Sequence, residues 1–117
     1  MLDEVKACLF DIVQACDLIL DFAAEKSLTS YKEDVRSKSA VERQFQIIGE
    51  AVNRLAKKCP EVVDQIPSHR AIISFRNMLV HGYDRIEDEI VWGVIRKHLP
   101  ALRSTVSRML GDEDDTG

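Results

Sequence analysis

The segment Ser74–Tyr83, SFRNMLVHGY, places several polar and ionisable side chains at the end of an apolar helical run. Such groups are costly to bury unless they are paired. The guanidinium of Arg76 can stabilise negative charge that develops on a phosphate, and the imidazole of His81 can accept and donate protons near neutral pH. In RNA the 2′-hydroxyl itself can be the nucleophile. The segment is therefore a candidate site for cleaving a phosphodiester bond without a metal.

The spacing of these residues sets a geometric condition on that chemistry. Arg76 and His81 are five residues apart, so on a continuous helix they point about 140° away from each other. Their side chains converge only if the helix unwinds, and Gly82 is predicted to supply a left-handed helix cap at that point. The turn would also bring the Tyr83 hydroxyl to the same pocket. Asn77 and His81, four residues apart, already share a helix face.

A purely structural interpretation of the same residues is also open. His81 would cap its helix at the negative end of the helix dipole, and Arg76 would pair with a carboxylate such as Glu50. Tyr83 would then pack its ring against the fold. Residue types and spacing alone leave both alternatives standing.

The remaining candidate groups carry weaker signals. His69 and His98 have no paired ligand spacing, so the sequence predicts no metal site. The three acidic residues 87–89 suit the positive end of a helix, which explains them without catalysis. Trp92 is expected to be a packing anchor rather than a platform on which a base stacks.

Composition limits the protein to a few classes. The 117 residues, 45% apolar and 31% charged, fit one domain. Cys8, Cys16 and Cys59 are an odd number without Cys-x-x-Cys spacing, which favours a reducing, cytoplasmic location. No run is apolar enough to span a membrane, and the N-terminus lacks the basic start of a signal peptide. The net charge of −4 argues against coating nucleic acid through bulk charge. The acidic segment 111–117 accounts for that charge, so the rest of the chain is nearly neutral and a local basic site is allowed.

Apolar residues recur every three or four positions along most of the chain, and no stretch alternates as a strand does. This pattern predicts an all-α, up-and-down four-helix bundle with a short extra helical turn, over residues 1–110, followed by a disordered acidic tail at 111–117. The predicted elements are helices from Leu2 to about Ala24, from Tyr31 to Lys58, from Pro67 or Ser68 to the residues before Gly82, and from Ile86–Asp88 onward, with the extra turn at Glu61–Gln65.

Three details of these helices carry further predictions. Gly49 interrupts good helix formers at a cost of about 1 kcal/mol, so we expect it to mark a close crossing of two helices. Pro100 should kink the fourth helix. The apolar stripe of the first helix is wider than one neighbour covers, which predicts contact with two helices or with another subunit.

The motif resembles that of a known family. Residues Arg76–Tyr83, RNMLVHGY, match the pattern of HEPN-domain ribonucleases: Arg, four residues, His, any residue, Tyr. The longer segments RNMLVHGYDRIEDEIVW, VERQFQIIGEAVNRL and HLPAL resemble the HepT-like branch, whose members are toxins encoded beside a nucleotidyltransferase antitoxin of the MNT type. The resemblance covers roughly Leu2–Leu110.

The resemblance implies a helical bundle that forms a homodimer, with two motifs facing a shared cleft and cleaving RNA without metal or cofactor. It implies that Arg76 and His81 are the catalytic pair and that Asn77 orients them. Tyr83 would support the site and accept AMP when the partner nucleotidyltransferase inactivates the toxin. The alternative is a dimeric binding module without catalysis that docks the nucleotidyltransferase and presents Tyr83 to it.

Overall fold

The computed structural model describes residues 2–82 and 87–115, with side chains as far as Gly111. In these two stretches the chain forms seven helices and no strand, which confirms the predicted all-α class. The helices are α1 (Asp3–Ala23), α2 (Leu28–Glu33), α3 (Val35–Lys58), α4 (Pro60–Val63), α5 (His69–Val80), α6 (Asp88–Lys97) and α7 (Leu99–Asp115).

Helices α1 and α3 form the centre of the core. Their buried residues follow the spacing of three and four that the sequence predicts, so each helix turns one apolar stripe inward. Helix α3 packs between α1 and α5, while the other side of α1 packs against α7, so α1 contacts two helices as its wide stripe predicts. The buried residues of the two central helices are Val5, Cys8, Leu9, Ile12, Ala15, Cys16, Ile19 and Ala23 in α1, and Val41, Phe45, Ile48, Gly49, Ala51, Val52 and Leu55 in α3.

The predicted helix from Tyr31 to Lys58 is wrong in one respect, because Asp34 divides it into α2 and α3. The Asp34 carboxylate accepts hydrogen bonds from the Ser37 amide at 3.1 Å and the Ser37 hydroxyl at 2.7 Å. It also pairs with Lys26 at 3.0 Å. These hydrogen bonds from Ser37, more than the lysine, hold the pKa of Asp34 below its ordinary value. Asp34 therefore has an extended backbone and serves as the N-cap of α3, where its side chain accepts from a free amide of the first turn.

The predicted kink in the fourth helix is instead a break two residues earlier. Helix α6 ends at Lys97 and α7 begins at Leu99, with His98 between them. Pro100 lies in the first turn of α7, where its missing amide proton would have had no helical partner. The extra turn is α4, which starts at Pro60 and lies close to its predicted position.

Contacts between α2, α3 and α6 fix the start of α6. The rings of Tyr31 and Trp92 pack with centroids 5.3 Å apart, as expected of a packing tryptophan. Burial raises the pKa of Tyr31. Lys38 pairs with Asp88 at 3.2 Å, and Lys32 pairs with Glu89. These ion pairs explain the acidic start of α6 without a catalytic role.

The end of α7 bears on the predicted domain boundary. The helix continues to Asp115, beyond the boundary predicted at residue 110, and the disorder of residues 111–117 stays a prediction. Cys8, Cys16 and Cys59 are free thiols, and burial raises the pKa of Cys16 to about 12. No helix in the described part of the chain is both long and apolar enough to cross a membrane.

Candidate active site

Helix α5 carries the candidate motif and lies at the surface of the fold. None of its residues is fully buried, and it packs against α3 through one face. Phe75 meets Phe45 of α3 edge to face, with ring centroids 5.2 Å apart. This contact fixes the rotation of α5 beside the position of Arg76.

The predicted close crossing at Gly49 is confirmed, and the residue that it accommodates is Arg76. A Cβ atom placed on Gly49 would overlap the Arg76 Cβ atom and would lie 2.5 Å from its Cγ atom. Only a residue without a side chain lets the two backbones approach this closely. Gly49 therefore determines how near the Arg76 side chain lies to α3.

The Arg76 guanidinium makes two polar contacts among the described residues. Its Nη1 donates a hydrogen bond to Asn77 Oδ1 at 3.1 Å, and its Nη2 lies 3.7 Å from Glu50 Oε1. The predicted pairing with Glu50 is thus confirmed, although 3.7 Å is too long for a hydrogen bond. Arg76 Nε is buried without a hydrogen-bond partner in the described part of the chain. Asn77 thus accepts from one of the five guanidinium N–H groups, and the others have no hydrogen-bond acceptor within the described residues.

His81 is exposed and occupies the C-cap of α5. Its amide donates to the Asn77 carbonyl at 2.9 Å, four residues back, so the helical hydrogen bonding is unbroken between Arg76 and His81. No glycine within residues 2–82 and 87–115 has a positive φ, so the left-handed cap predicted at Gly82 is not found. The helix closes on His81 itself, with φ −100° and ψ 20°.

The left-handed cap that was predicted to bring Arg76 and His81 together is therefore absent, and the backbone stays helical from Arg76 to His81, which sets their Cβ directions about 140° apart. The described residues show no hydrogen bond between the two side chains. Asn77 contacts both residues, through its side chain to Arg76 and through its carbonyl to the His81 amide. Its position is suited to the orienting role predicted for it.

Tyr83 and the neighbouring Arg85 lie outside the described residues. The described flanks of this segment are fixed on both sides, by the end of α5 at His81 and by the ion pairs of Asp88 and Glu89 at the start of α6.

His69 does not join the candidate pair. His69 Nδ1 lies 3.2 Å from the Ile66 carbonyl, at the opposite end of α5. No group of three or more His, Cys, Asp or Glu residues capable of holding a metal ion occurs among the described residues.

Two features of the site were not predicted. Arg43 Nη1 lies 3.8 Å from Glu50 Oε1, so the same oxygen faces two guanidinium groups. The seven-residue spacing of Arg43 and Glu50 on one helix face was the available signal. The second feature is an apolar groove of about 620 Å³ between α5 and the α6–α7 pair, with its floor on α3. It is lined by Phe45, Ile48, Pro67, Ser68, Ala71, Ile72, Ser74, Phe75, Met78, Ile90, Val94, His98, Leu99, Ala101 and Leu102.

Comparisons with known proteins identify the family of this chain. Residues 12–109 match the family model described as "Ribonuclease HepT-like". A Methanocaldococcus jannaschii protein named as a "Putative RNase" is 30% identical over 109 residues, which are 93% of this chain and 89% of that protein. A Thermococcus cleftensis protein named "Probable ribonuclease HepT" is 27% identical over 104 residues, 89% of this chain and 94% of that protein. No solved structure gives a significant match. With the family model covering the core helices and the Arg76–Tyr83 motif alike, the chain belongs to the ribonuclease HepT-like family.

Proposed function

We propose that this protein is a metal-independent endoribonuclease, the toxin of a toxin–antitoxin pair, with Arg76 and His81 as its catalytic residues. The observation that supports this proposal best is the placement of Arg76 against Gly49. In this family member, Gly49 leaves a gap in α3 that holds Arg76, whose guanidinium makes one hydrogen bond among the described residues, five residues before the exposed His81 on the same helix.

Each residue then has a defined task in cleavage. His81 accepts the proton of the RNA 2′-hydroxyl, whose oxygen forms a bond to the adjacent phosphorus while the bond from phosphorus to the 5′-oxygen breaks. The leaving 5′-oxygen takes up a proton from water and His81 releases its proton to solvent, so the products carry a 2′,3′-cyclic phosphate and a 5′-hydroxyl. Arg76 stabilises the charge on the phosphoryl oxygens in the transition state. Asn77 keeps the guanidinium in place.

A homodimer would supply the convergence that one chain lacks. The apolar groove beside α5 is open, and Met78 and Ile90, which line it, are exposed by 51% and 49%. Exposed apolar groups that cluster in this way are typical of protein contacts. A second copy packed on this face would bring two α5 ends together, with the Arg76 of one chain near the His81 of the other.

In His81→Ala, RNA cleavage should fall by about 100-fold or more, since acid–base catalysis by a positioned side chain contributes roughly 10²- to 10⁴-fold. Purified protein is incubated with RNA in excess chelator, and the initial rates are compared. His69→Ala is the matched control, since it removes a histidine from the other end of the same helix and should keep the wild-type rate. Equal rates for wild type and His81→Ala, or no cleavage by the wild type, would reject the proposal.

We also propose that an MNT-type nucleotidyltransferase antitoxin inactivates the toxin by transferring AMP to Tyr83. The Tyr83 oxygen would form a bond to the α-phosphorus of ATP as pyrophosphate leaves. The added phosphate would face Arg76, which suits a guanidinium, and the adenosine would occupy the space of the RNA.

Intact-mass spectrometry should show one or more added AMP units when the toxin is produced with the neighbouring nucleotidyltransferase, and none when it is produced alone. In Tyr83→Phe the added mass should disappear, because the acceptor oxygen is gone. Modification that persists in Tyr83→Phe would assign the acceptor to another residue.

The separation of Arg76 from His81 within one chain favours a second candidate function. In this case the protein is a dimeric module without catalysis, and it docks a nucleotidyltransferase and presents Tyr83. Stable complex formation in size-exclusion chromatography, together with RNA left intact by the free protein, is the result expected of this alternative.

A further inference from the structure

The Glu50 carboxylate lies between two arginines at the crossing of α3 and α5. Its Oε1 is 3.7 Å from Arg76 Nη2 and 3.8 Å from Arg43 Nη1. Glu50 and Arg76 are partly shielded, with side chains 34% and 27% exposed, whereas Arg43 is 59% exposed. Solvent therefore screens the attraction between Glu50 and Arg43 more strongly than the attraction between Glu50 and Arg76.

The local sequence of α3 supplies both halves of this arrangement. Gly49 leaves the gap through which the Arg76 stem passes, and the next residue supplies the negative charge that faces its guanidinium. Arg43 lies two helical turns before Glu50 on the same face of α3. Backbone packing therefore fixes the stem of Arg76, and Glu50 acts on its charged end.

The distances show that Glu50 attracts Arg76 without using up its donors. A guanidinium has five N–H groups. Within the described residues, the only hydrogen bond of the Arg76 guanidinium goes to Asn77 Oδ1. At 3.7 Å the carboxylate contributes charge attraction and not a hydrogen bond. The three side chains carry a formal charge of +1, which matches the single negative charge of one phosphodiester group.

We propose that Glu50 is a positioning residue that holds the Arg76 guanidinium in place for the phosphoryl group, with Arg43 balancing its charge. This inference rests on the proposed ribonuclease function. Removing the charge of Glu50 leaves two unbalanced arginines, which bind RNA as well as before or more tightly. Arg76 then samples more orientations, so less of its charge reaches the transition state. The rate of the cleavage step therefore falls, whereas RNA binding in the ground state does not weaken.

Glu50→Gln keeps the shape of the side chain and removes its charge. We expect kcat to fall by about tenfold, because small misplacement of a catalytic group is costly, while KM stays the same or decreases. Glu4→Gln is the control, since Glu4 pairs with Lys58 at the C-terminal end of α3, at 2.6 Å, and should leave both constants unchanged. A kcat within twofold of wild type, or a raised KM with unchanged kcat, overturns the proposal.

Chemical labelling of arginine tests the same inference without cleavage. Phenylglyoxal modification, mapped by peptide mass spectrometry, should be several-fold faster at Arg76 in Glu50→Gln than in wild type. Arg103, paired with Asp17 at 2.7 Å, is the reference within each molecule, and Asp17→Asn should accelerate labelling at Arg103 alone. Unchanged labelling of Arg76 overturns the positioning role.

The two measurements separate the two proposals. If wild type leaves RNA intact, the ribonuclease function fails, while the labelling still decides whether Glu50 restrains Arg76. Thermal unfolding shows whether Glu50→Gln is folded. If it is not, Glu50→Asp is measured: this shorter side chain keeps the charge, so KM should match wild type and kcat should fall. Wild-type kcat and wild-type labelling in Glu50→Asp would then overturn the inference.

Discussion

Gly49→Ala should lower the free energy of unfolding by roughly 1–3 kcal/mol and remove most RNA cleavage. Alanine is the better helix former by about 1 kcal/mol, so propensity alone would make this substitution stabilising. The new Cβ atom, however, overlaps the Arg76 Cβ atom. A Cβ position is fixed by the backbone, so no side-chain rotation relieves this overlap. Helix α5 must move away from α3, which also disturbs the contact between Phe45 and Phe75.

Gly93→Ala is the matched control for this prediction. Gly93 also lies inside a helix, α6, but a Cβ atom added there meets nothing within 4 Å. Propensity then acts alone, and the variant should gain up to about 1 kcal/mol and retain wild-type cleavage. If the crossing controls the site, urea unfolding should show a loss of stability in Gly49→Ala and a gain in Gly93→Ala, and RNA cleavage should fall in Gly49→Ala alone. A Gly49→Ala protein as stable as wild type would contradict the argument.

The sequence alone predicted the features that depend on local pattern. The spacing of apolar residues in α1 and α3 reflects which face of each helix is buried, so the core could be inferred directly. Gly49 was recognisable because a glycine among good helix formers needs a packing reason. That the atom packed against it belongs to Arg76 required the relative placement of α3 and α5, which no local pattern encodes.

The errors arose where two local signals compete. Asp34 fits a helix interior poorly but an N-cap well, and its bonds to Ser37 decided for the cap. Pro100 was predicted to kink a helix, yet it is tolerated in the first turn of a new one. At Gly82 the presence of a glycine suggested a left-handed cap, whereas His81 ends the helix with a conformation that needs no glycine.

The groove beside α5 could not be predicted from periodicity. Residues such as Phe75 and Met78 belong to an apolar stripe, and a stripe shows that a face is covered without showing by what. Here α3 covers part of the stripe and leaves Met78 exposed. The proposed homodimer would place a second copy of the chain on this face.

Mixing inactive Arg76→Ala with inactive His81→Ala should restore RNA cleavage to about a quarter of the wild-type rate if the site is shared between two chains of a symmetric dimer. Random exchange makes half of the dimers mixed. In a mixed dimer one cleft lacks both groups, and the other cleft keeps an intact arginine and an intact histidine from different chains. Each parent alone, by contrast, lacks one essential group in every cleft.

The restored rate distinguishes two arrangements that have the same fold. If Arg76 and His81 act within one chain, every cleft of a mixed dimer lacks one of them and mixing restores nothing. The unbroken helix between them predicts the shared arrangement, since about 140° of rotation separates two side chains that must reach one phosphate. Met78→Asp added to both parents supplies the control, because a carboxylate in the apolar groove should prevent dimer formation and with it any restoration. Restored cleavage that survives Met78→Asp would show that this groove is not the surface on which the two chains meet.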